Sequence, residues 1–331
     1  MNGNAIDGST CIVTGGAGNI GSYVVEQLIA EGTTRVVIVD NFYNGHLQNL
    51  DKARAQDQTE IIVLNEDIAN SPRLAAIFDQ YKPDYVFHLA SMLTLDCKLR
   101  PLQAIQYNIV GTYNVIDCSV HRKVRKVVHS SSASVFGEPR YLPVDENHPF
   151  DNKLLYGATK IANEALFTSA WHEYGLPWVG LRYYNVYSER QRRGHLYTQV
   201  VPKWAYEIRA HGKIAINDDG SQTMDLIHAE DVARANIAAC KSDVANECFN
   251  IGSGKETSVK QLAEMMIELF DVPVEVTYEQ HDPNRVKQRR CSTVKAKDLL
   301  CFEPTIEARE GLKRCVEYFK THTLTDVDFD A

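Results

Sequence analysis

Residues 11–22, CIVTGGAGNIGS, constrain this chain more than any other stretch. Cys11 to Val13 read as a buried strand. Gly15, Gly16, Gly18 and Gly21 then satisfy both the G-x-G-x-x-G and the G-x-x-G-x-x-G spacing. Glycines so placed allow a tight turn, a backbone that can touch a pyrophosphate, and a close helix–strand contact. The helix that starts here turns its free N–H groups and positive dipole end toward the phosphates. Residues 36–39 form the next apolar run, and Asp40 closes it about 20 residues past the loop. A carboxylate there accepts from ribose hydroxyls and repels a 2′-phosphate, so the predicted cofactor is NAD rather than NADP.

The remainder of the first half alternates. Short β-branched and aromatic runs at 36–39, 61–64, 85–89, 126–129 and 178–181 read as buried parallel strands. Segments of helical spacing at 23–30, 73–81, 101–121 and 153–174 lie between them. This alternation predicts an α/β, Rossmann-type doubly wound parallel sheet. In the helix at 101–121, Ile105, Ile109, Tyr113 and Ile116 make one stripe, assigned to the core. Beyond residue 181 the pattern loosens into a polar loop at 185–199, helices near 201–211 and 229–240, and a strand at 248–251. Ser258 and Gln261 have the form of a capping box before a further helix. The expected division is a NAD-binding domain, 1–182 with 229–252, and a smaller mixed α/β substrate-binding lobe, 183–228 with 253–331.

Bulk properties narrow the partners. Across 331 residues the net charge is −8, and no basic block suits a nucleic-acid backbone. No apolar run approaches about 18 residues, and residues 1–10 lack the plan of a secretory leader. The 8 cysteines stand singly, with no Cys-x-x-Cys pair and no metal-ligand cluster. They predict reduced thiols in a cytoplasmic protein without a zinc site.

Two further stretches carry chemistry. In Tyr156-Gly-Ala-Thr-Lys160 the two functional side chains are four apart and share a helix face. A free phenol is a poor base at neutral pH, but a neighbouring ammonium and an oxidised nicotinamide both favour the phenolate. Such a pair can take a proton from a hydroxyl as hydride leaves its carbon. Ser130-Ser-Ser-Ala-Ser134 comes directly after an apolar strand, where a doubly wound sheet opens on its ligand crevice. A hydroxyl there bridges a substrate oxygen and a tyrosine as donor and acceptor.

Taken in order, the glycine loop, Asp40, Asp67-Ile68, His88-Leu-Ala90, Ser130-Ser-Ser-Ala, Tyr156-x-x-x-Lys160, Leu181-Arg-Tyr-Tyr-Asn185 and Gly220-Ser-Gln-Thr223 resemble the extended short-chain dehydrogenase/reductases. Within these the chain is most similar to the NAD-dependent nucleotide-sugar epimerases and dehydratases. The resemblance implies Tyr156 as base, Lys160 on the nicotinamide ribose and lowering the tyrosine pKa, and Ser132 at the sugar oxygen. It places Gly15, Gly18, Asn19, Ile20, Asp40, Asn41, Gly45, Asp67, Ile68, Leu89, Ala90, Ser91 and Asn108 along the cofactor. It gives Asn185 and Arg289 to the substrate diphosphate, and implies a homodimer formed through helices 101–121 and 153–174.

The family's 4,6-dehydratases carry Thr-Asp-Glu where this chain has Ser132-Ala133-Ser134. Its decarboxylases carry Glu, and a 3,5-epimerase Cys, at the place of Ala133. With none of these groups the expected reaction is 4-epimerisation of a nucleotide-diphosphate sugar through a transient 4-keto sugar. The alternatives are another NAD-dependent oxidoreductase or dehydratase reaction of the family, and an inactive NAD-binding scaffold or sensor. Met224 stands where relatives have a diphosphate arginine, and Asn217 where an aromatic packs on the base. Arg285 or the arginines of 190–193 are the candidates to compensate.

Overall fold

A computed structural model describes residues 6–191, 199–280 and 286–322. Strand β1 (Thr10–Thr14) feeds the glycine loop and helix α1 (Asn19–Ala30), followed by β2 (Arg35–Asp40), the single turn α2 (Asp51–Arg54) and β3 (Glu60–Asn65). Next come α3 (Ser71–Tyr81), β4 (Tyr85–His88), α4 (Thr94–Leu99) and α5 (Pro101–Ile105). A π turn (Gln106–Val110) leads into α6 (Gly111–His121), β5 (Lys126–Ser132), α7 (Leu155–Tyr174) and β6 (Trp178–Tyr183).

The chain then leaves the sheet through β7 (Asn185–Tyr187), α8 (Val200–His211), β8 (Lys213–Asn217), β9 (Thr223–Met224) and β10 (Leu226–His228). It returns by α9 (Ala229–Lys241) and β11 (Glu247–Ile251), and ends with β12 (Thr257–Ser258), α10 (Val259–Phe270), β13 (Glu275–Glu279), α11 (Val294–Leu300) and α12 (Ala308–Thr321). The central sheet has the order β11-β6-β5-β4-β1-β2-β3, and every pair in it is parallel. β1 sits between β2 and β4, where the order reverses, so its carboxyl end opens on the ligand crevice.

Both faces of the sheet are covered. Val24, Leu28, Val232 and Ala235 of α1 and α9 pack on one face; Leu74, Phe78, Val115 and Phe167 of α3, α6 and α7 pack on the other. A separate core of Trp204, Ile208, Leu262, Met266, Leu312 and Phe319 joins α8, α10 and α12 around β8. Ser258 and Gln261 complete the expected capping box of α10. Among the described residues no helix is long and apolar enough to cross a membrane.

Two expectations are corrected. The segment at 101–121 is not one regular helix, since the π turn interrupts it, and the stripe does not face the core. Ile105 and Tyr113 are exposed, Ile109 is half-buried, and only Ile116 is in the core; the buried side is Ala104, Asn108, Gly111, Thr112 and Val115. The serine run does not follow the strand but completes it. Ser130, Ser131 and Ser132 pair with Leu181, Arg182 and Tyr183 of β6, because β6 also runs two residues further than its apolar stretch.

Candidate active site

The glycine loop is shaped by close approach. Gly15 has φ +69°, and a Cβ on it would stand 2.7 Å from Ala90 N; a Cβ on Gly21 would stand 2.2 Å from Gly15 O. Gly18 is the N-cap of α1 with no capping side chain, and no acidic residue lies in the first turn. The leading N–H groups of α1 therefore face the crevice without a carboxylate competing for them.

Asp40 is buried, and its carboxylate accepts from Ala17 N and Phe42 N at 2.9 Å each. Burial raises its pKa, and these two N–H bonds oppose the rise. Two bonds leave lone pairs on both oxygens for ribose hydroxyls. Asn41 donates to Asp67 Oδ2 at 3.4 Å and Asp67 Oδ1 accepts from Ala69 N at 2.8 Å, so β2 and β3 end in one polar cluster beside buried Ile68. Gly45 closes on the Asp40 carboxylate, where a Cβ would stand 2.8 Å from both oxygens. Leu89, Ala90 and Ser91 continue from β4, half-buried, on the other side of the loop. An uncapped helix start, a glycine cradle and an acid at the end of β2 fit NAD.

Lys160 and Tyr156 lie on the first turns of α7, against the end of β5. Lys160 is buried; its Nζ donates to Ser130 O at 2.8 Å and stands 5.6 Å from the centre of the Tyr156 ring. Burial lowers the ammonium to about 8. Burial also pushes the Tyr156 phenol up to about 12, against a bond to the Ser132 hydroxyl that lowers it. In the protein alone, burial outweighs the Ser132 contact and the phenol stands above its ordinary value.

Asn108 sits at the π turn with its amide fully engaged. Its Oδ1 accepts from Met92 N at 2.7 Å, and its Nδ2 donates to Met92 O at 3.1 Å and Thr159 Oγ1 at 3.2 Å. Thr159 in turn donates to Tyr156 O at 2.7 Å. Behind Asn108, Thr112 donates to Asn108 O at 2.7 Å and so accepts from His88 Nε2 at 2.9 Å. His88 Nδ1 then accepts from Thr14 Oγ1 at 2.8 Å. Burial holds this imidazole neutral, at about 3. The chain of bonds joins the glycine-loop strand to the turn bearing the tyrosine.

A second support lies under the serine strand. Glu164 accepts from Ser131 Oγ at 2.5 Å and from Arg182 Nε and Nη2 at 3.0 and 2.8 Å, with both charged side chains buried. Arg182 also lies over the Phe136 and Phe150 rings. Sequence reasoning singled out neither Glu164 nor Arg182 for a role. Glu164 is four residues past Lys160 on the same face, which was the available signal.

On the substrate side, Asn185 opens β7 with its side-chain Oδ1 buried and unpaired among the described residues. Arg289 N donates to Thr223 Oγ1 at 3.2 Å; burial raises the phenol of Tyr184, whose ring packs with Ala133 and Cys291, and the Arg289 guanidinium opposes part of that rise. Asp225 anchors this region by accepting from Ser253 N, Gly254 N and Cys291 N at 2.6–3.1 Å. Met224 packs on the α8–α10–α12 core. Arg190 is engaged elsewhere: it bonds Glu26 of α1 and lies 3.9 Å over the Tyr23 ring. Arg192, Arg193 and Arg285 lie outside the described residues.

Glu189, His228 and Cys315 place one ligand-type atom each within 4.8 Å of one another. His228 Nδ1 accepts from Glu230 N at 3.2 Å, which leaves the proton on Nε2, facing Glu189 Oε2 at 3.1 Å. That tautomer makes the pair a hydrogen bond against a buried thiol.

Known proteins are similar to this chain in sequence and fold. The chain is 33% identical over 317 residues to a putative UDP-glucose 4-epimerase of Methanocaldococcus jannaschii, covering 95% of this chain and 99% of the relative. It is 30% identical over 328 residues to a UDP-N-acetyl-alpha-D-glucosaminuronate decarboxylase of Bacillus cytotoxicus, covering 94% and 97%. Its fold matches the crystal structure of the UDP-glucose 4-epimerase of Thermotoga maritima with UDP-glucose at a TM-score of 0.87 and 32% identity, over 94% of this chain and 98% of that one. Residues 11–252, from β1 through the return strand β11, match the NAD dependent epimerase/dehydratase family, and the chain belongs to that family.

Proposed function

We propose that this enzyme is a nucleotide-sugar 4-epimerase. The observation that carries the reading is the turn after β5: the Ser132 hydroxyl, which donates to Ser134 Oγ at 3.1 Å, lies near enough to the Tyr156 phenol to lower its pKa, while Ala133 beside it is buried against Tyr184 and Cys291. A reaction beyond C4 needs a further acid, base or thiol at that turn, and Ser132, Ala133 and Ser134 supply no carboxyl or thiol. Chemistry at C4 needs only a base and a hydroxyl.

Gly15, Gly18, the start of α1 and Asp40 would hold NAD, which when bound supplies a reversible hydride acceptor and, oxidised, a positive charge favouring the phenolate. Tyr156 takes the proton of the C4 hydroxyl and later returns one to the C4 oxygen, after the keto sugar has turned its other face to the site. Ser132 passes that proton or holds the oxygen. Lys160, fixed by Ser130 O, stands by to stabilise the phenolate once it forms. Asn185 and Arg289 are read as diphosphate contacts, and Gly45, Asn41, Asp67, Ile68, Leu89, Ala90, Ser91, Asn108, Asn19 and Ile20 as cofactor contacts.

We read the molecule as a cytoplasmic homodimer. Leu99, Leu102, Ile105, Tyr113, Leu154 and Tyr174 are large, apolar and exposed along adjoining α4–α7, which suits a helix-to-helix partner surface. Incubation of the purified protein with a panel of UDP-sugars, followed by NMR, tests the activity. Epimers should appear without added NADH and with no lasting change at the nicotinamide absorbance band. Consumption of sugar only with stoichiometric cofactor would overturn the assignment.

A further inference from the structure

The loop after β2 makes a contact that no sequence motif announces. Tyr43 Oη donates to Asp96 Oδ1 of α4 at 2.9 Å, and Arg100 Nη1 donates to the same hydroxyl at 3.3 Å. The single phenol proton is therefore committed to Asp96, and a lone pair receives Arg100. Asp96 is almost fully buried and Tyr43 half-buried, so the bond is charge-assisted and partly shielded from water.

Topology fixes what this bond crosses. Tyr43 lies three residues beyond Asp40, the last residue of β2, and Asp96 lies on α4, which follows β4. β1 stands between β2 and β4 in the sheet. A link from one side to the other must therefore pass outside the carboxyl end of β1, where the glycine loop and the start of α1 lie. The root of the Tyr43 loop is pinned to that loop: Ala17 N donates to Asp40, while His46 N and Asn49 Nδ2 donate to Ala17 O at 3.0 and 2.8 Å. Asn41 Oδ1 accepts from Tyr43 N at 3.1 Å and sets the direction of the tyrosine. The loop is thus an arch, fixed at its foot on the glycine loop and tied at its crown to α4.

We propose that Tyr43 and Asp96 are cofactor-retaining residues, a side-chain bridge closed over the dinucleotide crevice that must open before NAD can leave. The inference rests on the NAD-binding reading of the crevice, and on nothing about the sugar. A bridge of this kind suits an enzyme that recycles one cofactor molecule through many turnovers, because dissociation then waits on breaking a charge-assisted bond to a buried carboxylate. Cys97, next to Asp96 on α4, packs with Tyr156, so release of NAD rather than turnover is the quantity that reports the bridge.

The test follows release of NAD itself. Purified holoenzyme, reloaded with NAD and freed of excess, is diluted, and released NAD is counted with time by an enzymatic cycling assay. Tyr43→Phe keeps the ring and removes the donor, and should speed release at least about tenfold, the scale of one hydrogen bond to a charged acceptor. Asp96→Asn keeps an acceptor oxygen and should change release less than Tyr43→Phe. Tyr43→Phe combined with Asp96→Asn should release NAD no faster than Tyr43→Phe alone, since two halves of one bridge are not additive. Release from Tyr43→Phe within twofold of the parent, or fully additive effects, overturns the proposal. A chain that retains NAD in this way but epimerises no sugar leaves the proposal standing and refutes only the activity.

Discussion

Lys160 Nζ stands 5.6 Å from the centre of the Tyr156 ring while it donates to Ser130 O at 2.8 Å, so one buried ammonium serves both the base and the strand beside it. Burial works against both charges, drawing the ammonium to about 8 and pushing the phenol to about 12. Between pH 8 and the ordinary lysine range, the unfolded chain binds a proton that the folded chain has lost. Lys160 therefore costs stability below pH 8, and this cost fades as pH rises. Lys160→Met should abolish turnover. Its stability relative to the parent, from urea unfolding of the cofactor-free protein, should fall by ~2 kcal/mol between pH 7 and pH 10. A gap independent of pH would show that the lysine is not buried as a charge.

Tyr156→Phe should lower kcat by about 10³-fold or more while the protein still purifies with NAD, since the change removes proton transfer and little else. Ser132→Ala should lower kcat by a smaller factor, about 10–10²-fold, because water can replace a hydroxyl relay but not the base. The ultraviolet absorbance of tyrosinate offers a check that needs no sugar. The phenol should stay protonated through pH 10 in the cofactor-free protein, and its pKa should fall when oxidised NAD binds.

What the sequence made legible was local. The glycine loop, Asp40 and the Tyr156–Lys160 pair are fixed by spacings of a few residues, or by one strand–helix–strand unit, and they stand where the pattern put them. The features it concealed depend on partners far along the chain. Tyr43 meets Asp96 across 53 residues and Ser188 meets Asn19 across 169, with nothing in either neighbourhood to announce the meeting. The stripe at 105–116 misled for a physical reason. Ile105, Ile109 and Tyr113 share one face on both sides of the π turn, and that apolar face is turned toward solvent while Ala104, Asn108, Thr112 and Val115 face the core. Serines at 130–132 looked like a turn by composition, yet pairing with β6 and the Glu164 carboxylate hold them in the sheet.

The exposed apolar face of α4–α7 predicts an oligomer that charge can break. Leu102, 81% exposed, and Ile105, 41% exposed, lie on α5 one turn apart in the direction of solvent. Leu102→Asp with Ile105→Asp should shift the protein from dimer to monomer mass in light scattering and leave its circular dichroism unchanged. Two carboxylates removed from water at a dimer seam cost far more than two exposed on a monomer. Dimers of undiminished stability would place the seam elsewhere.

Arg182 and Glu164 test whether the serine strand is held by charge or by shape. The pair is buried and doubly bonded, the glutamate also takes the Ser131 hydroxyl, and Arg182 Nη1 reaches Glu146 O at 3.2 Å. Removing one partner strands the other in a dry site, so Glu164→Gln or Arg182→Met alone should each cost ~3–5 kcal/mol in denaturant unfolding. Changing both removes the stranded charge, and the double variant should recover part of that loss, because a buried pair is worth little against apolar neighbours such as Phe136 and Phe150. Activity should not recover with stability. Ser131 adjoins Ser132 on β5, and without the Glu164 carboxylate α7 holds that strand end by the Lys160 bond to Ser130 O alone among its charged side chains. A double variant regaining both stability and kcat would show that strand pairing with β6 alone positions Ser132.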